Sequence, residues 1–183
     1  PIGKLLGAYR DSVPCYNTSG GYLSASTAEV LANVDASLAR GLGGIKLKVG
    51  QPELKKDLER VAAVREHVGD DVPVMVDANQ QWDFTTALRA GRVLDRFGLV
   101  WLEEPLGAYD YAGHAQLKER LDTPIATGEM LSSVAECGEL IRHGSALSDS
   151  QRWAALLGLA PLVIGAVLVL GFLFFVALFS AGK

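Results

Sequence analysis

The chain has 183 residues, 17 Lys and Arg against 21 Asp and Glu, and a formal net charge of −4. That length suits one good-sized domain, and an acidic chain with no basic run is a poor electrostatic partner for nucleic acid. Two cysteines, Cys15 and Cys137, exclude a disulfide framework and have no metal-ligand spacing.

In chain order, the first apolar run, "SVPCY", predicts a strand ending at Tyr16. Ser26 with Glu29 makes a capping box, and the helix it opens runs to Arg40 before Gly41 stops it. "GLGG" (Gly41 to Gly44) leads into a strand rather than a helix, and so reads as a turn rather than a phosphate loop. A second strand covers Gly43 to Val49. Pro52 suits a first helical position, and "ELKKDLERVAAVREHV" follows with Leu54, Leu58, Val61 and Val64 on one face, ending at Gly69. Strands at Val72 to Val76, Gly98 to Glu103 and Thr123 to Thr127 then alternate with helices at Asp83 to Phe97, Tyr111 to Leu121 and Ser133 to His143.

Five strand-then-helix units call for an α/β architecture with a parallel sheet and right-handed crossovers. A doubly wound open sheet and part of an eight-unit barrel both satisfy this. No G-x-G-x-x-G opens a helix after the first strand, which weakens the dinucleotide-binding form of the open sheet.

Charged groups follow the apolar runs. Asp77 ends the third strand, Glu103 the fourth, and Glu129 lies just past the fifth, 26 residues apart each time. Neighbouring strands lie about 4.8 Å apart, so three such acids can converge on one hard divalent ion such as Mg²⁺. Lys46 and Lys48 share one face of the second strand. Two ammonium groups there should lower each other's pKa, moving a lysine toward a workable general base. The ordinary alternatives are helix caps for the acids and an edge-strand device for the lysines. Together and in this order, the groups suit removal of a proton alpha to a carboxylate.

The phrases "CYNTSGG", "GGIKLKVGQP", "MVDANQQWD" and "LDTPIATGEML" resemble the enolase superfamily, mandelate racemase subgroup, and within it the acid-sugar dehydratases, from about Pro1 to Ser145. The resemblance implies a partial TIM-type (β/α) barrel. It implies Asp77, Glu103 and Glu129 as Mg²⁺ ligands, Lys48 as the base, and Lys46 binding the substrate carboxylate. Asn17, Asn79 and Glu104 are the weaker substrate or supporting contacts. The implied activity is dehydration or epimerisation of an aldarate such as galactarate or L-talarate through an enediolate. The implied partner is a small acid sugar, with homo-oligomerisation left open.

The family pattern also includes a capping domain, and later strands bearing an Asp and a catalytic His, none of which this sequence carries. An incomplete barrel with little or no activity alone is therefore expected. The three histidines, His67, His114 and His143, read as surface residues.

Residues 153–182 contain no charged residue and are bracketed by Arg152 and Lys183. About 20 of them would cross a bilayer. This divides the chain into an incomplete barrel domain (1–146), a linker (147–152) and a single C-terminal transmembrane helix (153–182). The matching location is a single-pass membrane protein with its barrel segment cytoplasmic. The alternative to an enzyme is a non-catalytic membrane-tethered remnant, or a dehydratase fragment fused to a transporter-permease helix.

Overall fold

The structure, a computed structural model, describes residues 2–5, 7 and 15–144. A short helix α1 (Ile2–Leu5) precedes five β-strands, each followed by a helix: β1 (Asn17–Gly21), α2 (Thr27–Ala39), β2 (Ile45–Lys48), α3 (Leu54–Val68), β3 (Val74–Asp77), α4 (Phe84–Leu94), β4 (Leu102–Glu103), α5 (Tyr111–Lys118), β5 (Ile125–Ala126) and α6 (Val134–His143). All strand pairs are parallel, and their spatial order is their chain order, β1-β2-β3-β4-β5. A doubly wound sheet reverses direction at a switch point. This sheet does not, so the described part is a segment of a (β/α) barrel wall.

Side-chain alternation gives the sheet two faces. On one, Ile45, Leu47, Val74, Val76 and Leu102 meet Val30 and Val34 of α2, Val61 and Val64 of α3, and Ala87 and Ala90 of α4, forming the main core. Each fully buried valine contributes about 2 kcal/mol. On the other face Met75, Trp101 and Ala126 form a smaller cluster with Tyr16 packed against it.

Local signals set the helix starts. The Ser26 backbone donates to Glu29 at 2.8 Å while the Ser26 hydroxyl accepts from the Glu29 amide, so the expected capping box forms. Ser133 and Glu136 make a second one, and Asp83 accepts from the Thr86 amide at 2.7 Å. Such caps are worth about 1 kcal/mol each. Helix α3 instead begins at Leu54 behind Glu53, which caps nothing, so Pro52 lies before the helix rather than at its first position.

The first strand differs from expectation. Among the described residues β1 runs Asn17–Gly21, a stretch with no large apolar residue, and leaves out Cys15 and Tyr16, while Ser12 to Pro14 of the expected strand lie outside the described residues. The approach to β2 is close: a Cβ at Gly21 would lie 2.8 Å from both Leu47 Cα and the Lys46 carbonyl oxygen, so only glycine lets β1 sit against β2 here.

The expected transmembrane helix, and with it the single-pass membrane location, is corrected. Among the described residues no helix is long and apolar enough to cross a membrane. The longest, α3, has 15 residues, about 22 Å against a hydrocarbon core of about 30 Å, and it carries Lys55, Lys56 and Asp57. The uncharged run 153–182, like the linker 147–152, lies outside the described residues.

Candidate functional site

Parallel register builds the site. Lys48 pairs with Asp77, Asp77 with Glu103, and Glu103 with Ala126, so one level of the sheet reads Lys48, Asp77, Glu103, Ala126 across four strands. One step toward the strand starts, Lys46 lies beside Met75. Because side chains two residues apart share a face, both lysines and both acids belong to the face lined by Met75, Trp101 and Ala126, opposite the helices.

The charges are paired. Lys46 Nζ lies 2.7 Å from Glu103 Oε2 and 3.2 Å from Asp77 Oδ2, bridging two acids that are almost wholly buried. Lys48 Nζ donates to Asp77 Oδ2 at 2.6 Å. The two lysines differ in access: the Lys48 side chain is 28% exposed, that of Lys46 8%. Burial acts to lower the Lys46 pKa, but the Glu103 and Asp77 charges and the Glu103 hydrogen bond outweigh it and hold the pKa above its ordinary value. The expected lowering is therefore reversed for Lys46, because its ammonium sits against two carboxylate oxygens, at 2.7 and 3.2 Å. Glu103 is raised, first by burial and then by the Asp77 charge, against the lowering pull of Lys46 and Trp101.

Backbone strain gathers at the strand ends. Among the described residues, the non-glycine ones with positive φ are Asn79 (44°), Gln80 (65°) and Glu104 (40°), following β3 and β4. Such conformations are costly and concentrate at functional sites. Here they are held by hydrogen bonds. The Asn79 amide donates to Asp77 Oδ1 at 2.9 Å, the Gln80 amide to the Glu104 carbonyl at 2.7 Å, and Gln80 Nε2 to Glu104 Oε2 at 3.0 Å. Glu104 is buried with Oε1 lacking a partner. Burial first, then the charges of Glu129, Asp77 and Glu103, push its pKa up to about 7 against the lowering effect of Gln80.

Strand β2 is clamped from outside. Arg60 donates to the carbonyls of Tyr22, Leu23 and Lys48, and Asp57 Oδ2 accepts from the amides of Gly50 and Gln51. The first turns of α3 thus hold the chain at and just after Lys48, together with the start of the loop after β1.

Of the residues expected from sequence, Lys46, Lys48, Asp77 and Glu103 come together. Glu104 and Asn79 adjoin them, Asn79 half-buried. Glu129 is exposed in the loop after β5, and among the described residues no three His, Cys, Asp or Glu side chains stand close enough together to hold a metal ion. Asn17 is drawn to the helix side, donating to the Ser37 hydroxyl of α2. His114 is a correction: it is fully buried in α5, its Nδ1 2.9 Å from the Asp110 carbonyl, and burial lowers its pKa. His67 pairs with Asp35 at the surface, and His143 is exposed beside Tyr111.

Two residues of the site were missed. Trp101 Nε1 donates to Glu103 Oε2 at 3.0 Å, and the Tyr16 ring lies 5.9 Å from Lys46 Nζ. Trp101 is legible in principle, since it stands two residues before Glu103, just ahead of β4.

The donor chemistry fits a hard cation. Asp77 and Glu103 offer only oxygen, and two adjacent buried acids already require positive charge between them, supplied here by Lys46. Glu129 lies at the same end of the sheet, close enough for its charge to act on Tyr16 and Glu104.

Known proteins bear on this arrangement. The L-talarate/galactarate dehydratase of Salmonella typhimurium is 62% identical over 141 residues, covering 77% of this chain and 35% of that protein. The 3,6-anhydro-alpha-L-galactonate cycloisomerase of Streptomyces coelicolor is 42% identical over 146 residues, covering 79% and 40%. A crystal structure of L-talarate dehydratase from Polaromonas sp., complexed with Mg and L-glucarate, superposes with a TM-score of 0.77 at 62% identity, covering 79% of this chain and 41% of that one. The chain thus spans little more than a third of the length of the curated relatives it matches. Residues 29–148 match the enolase C-terminal domain-like family, and with the parallel barrel segment and its charged strand ends this establishes that the chain belongs to that family, within the enolase superfamily.

Proposed function

We propose that residues 1–146 are the portion of an acid-sugar dehydratase or epimerase barrel that carries the proton-abstracting lysine and the acids for Mg²⁺. The observation that carries this reading is the in-register row Lys48, Asp77, Glu103 on one face of the sheet. Asp77, Glu103 and Glu129 would hold the ion. When bound, Mg²⁺ would neutralise a substrate carboxylate and the negative charge that develops as the alpha proton leaves.

Lys48 is the base because its side chain is the more open of the two lysines, with Asp77 beside it to stabilise the ammonium formed after proton transfer. Lys46, buried between the acids, suits holding a carboxylate rather than exchanging protons with solvent. Glu104 and Asn79 brace the turns after β4 and β3. The substrate class rests on the relatives, whose names specify talarate, galactarate, anhydrogalactonate and arabinonate.

A second reading, a non-catalytic fragment in which the acids persist without turnover, is favoured by the exposed position of Glu129. One experiment separates the two. The chain is incubated with galactarate and MgCl₂ in D₂O, following loss of the alpha-proton signal by NMR and formation of a keto acid. The enzyme reading expects exchange that disappears with a chelator and in Lys48→Ala. Mg²⁺ binding without exchange supports the second reading, and exchange that survives Lys48→Ala contradicts the assignment of the base.

A further inference from the structure

We propose that Trp101 is a positioning residue for Glu103, its indole N–H holding the carboxylate in the orientation in which it meets a divalent cation. This deepens the cation-binding reading above and rests on it.

Trp101 and Glu103 share one face of the β4 segment. Trp101 is 3% exposed, and its Nε1 reaches Glu103 Oε2 at 3.0 Å. Lys46 Nζ donates to the same oxygen at 2.7 Å. Two donors converging on one oxygen restrict rotation of the carboxylate.

The donors are not equivalent. Lys46 carries a full charge that competes with a bound cation, and it is shared with Asp77 at 3.2 Å. If Lys46 turns to a substrate carboxylate, it leaves Glu103. The indole is a neutral donor with no acceptor capacity, so it orients the acid without cancelling the charge a cation needs. Its ring is itself fixed: Tyr16 meets it edge-on at 5.5 Å and 79°, and Met75 and Ala126 pack with it. Partners of this kind, behind a metal ligand, typically contribute 10–100-fold in affinity.

The test uses the full chain, with Mn²⁺ as the probe, titrated by electron paramagnetic resonance. Trp101→Phe removes the donor, and replacing Trp101 with benzothienylalanine removes only the N–H while keeping the ring's shape. 5-Fluorotryptophan, which retains the N–H, serves as the rescue. Urea unfolding of each protein without metal reports structural damage. The expected result is Mn²⁺ affinity about 10-fold weaker in the benzothienylalanine protein, restored with 5-fluorotryptophan, with the metal-free unfolding midpoint unchanged. Equal affinity in the benzothienylalanine and native proteins overturns the inference while leaving the cation reading intact. A loss of affinity matched by a lowered metal-free midpoint also overturns it, as a purely structural effect. Failure of the native chain to bind Mn²⁺ saturably overturns the cation reading, and the inference with it.

Discussion

Replacing Lys46 with Met probes the most highly charged point of the sheet. The lysine holds two acids, at 2.7 and 3.2 Å, with side-chain exposures of 8%, 3% and 1% for Lys46, Glu103 and Asp77. At an effective dielectric of about 20, each contact is worth roughly 5 kcal/mol before desolvation is counted. Removing one partner of a buried pair leaves its counter-charge stranded at a net cost of about 3–5 kcal/mol. At an ordinary urea dependence of about 2 kcal/mol per molar, the unfolding midpoint falls by about 2 M. The loss depends on pH. Glu103 already titrates above its ordinary value of 4.5, through burial first and the Asp77 charge second, and the variant loses the lowering pull of Lys46. An acid whose folded-state pKa is raised destabilises the fold as pH rises through the unfolded value. The gap between variant and native protein should therefore be smallest below pH 4.5 and reach its full size above the folded-state pKa. Urea titrations of metal-free protein at several pH values measure it. A gap under 1 kcal/mol at neutral pH, or one independent of pH, would refute the claim that Lys46 neutralises the two acids.

Gly21→Ala should destabilise by about 1–3 kcal/mol, because its Cβ meets the backbone of β2 at 2.8 Å, whereas Gly43→Ala, whose nearest neighbour would be the Cys15 carbonyl oxygen at 3.6 Å, should be nearly neutral. Paired urea unfolding curves check both. His114 is buried with a lowered pKa. The unfolded chain therefore takes up a proton below about pH 6.5 that the folded chain resists, and this contribution to stability is lost as pH falls, by at most about 1.4 kcal/mol per pH unit. Stability measured from pH 7.5 to 5 should decline less steeply in His114→Phe than in the native chain; parallel curves would contradict it.

Much of the site is visible in the sequence because a repeating strand–helix unit places successive strand ends at one level of a parallel sheet. A spacing of 26 residues between Asp77 and Glu103 becomes direct register. Period-two alternation likewise puts Lys46 and Lys48 on one face. What it hides is which charges touch: the two lysines suggest mutual repulsion, yet Lys46 lies between two acids on other strands. The first strand is hidden for a different reason. Residues 17–21 lack the apolar signature, and their close approach to β2 depends on a backbone contact that only Gly21 permits. His114 escapes notice because burial of a single polar residue in a short helix depends on what packs over it. Glu129 shows the limit of spacing, since it lies beyond β5 in a loop that register does not control.

In the proposed function, Asp77, Glu103 and Glu129 would share one divalent cation on the face that carries Lys48. A crystal of the chain soaked in Mn²⁺ and measured for anomalous scattering tests it most directly. The account predicts a single strong peak bounded by carboxylate oxygens of all three acids at about 2 Å, close to the Mg²⁺ distance, absent in Glu103→Gln. A peak elsewhere, or one that leaves Asp77 and Glu103 paired only to Lys46, would contradict it.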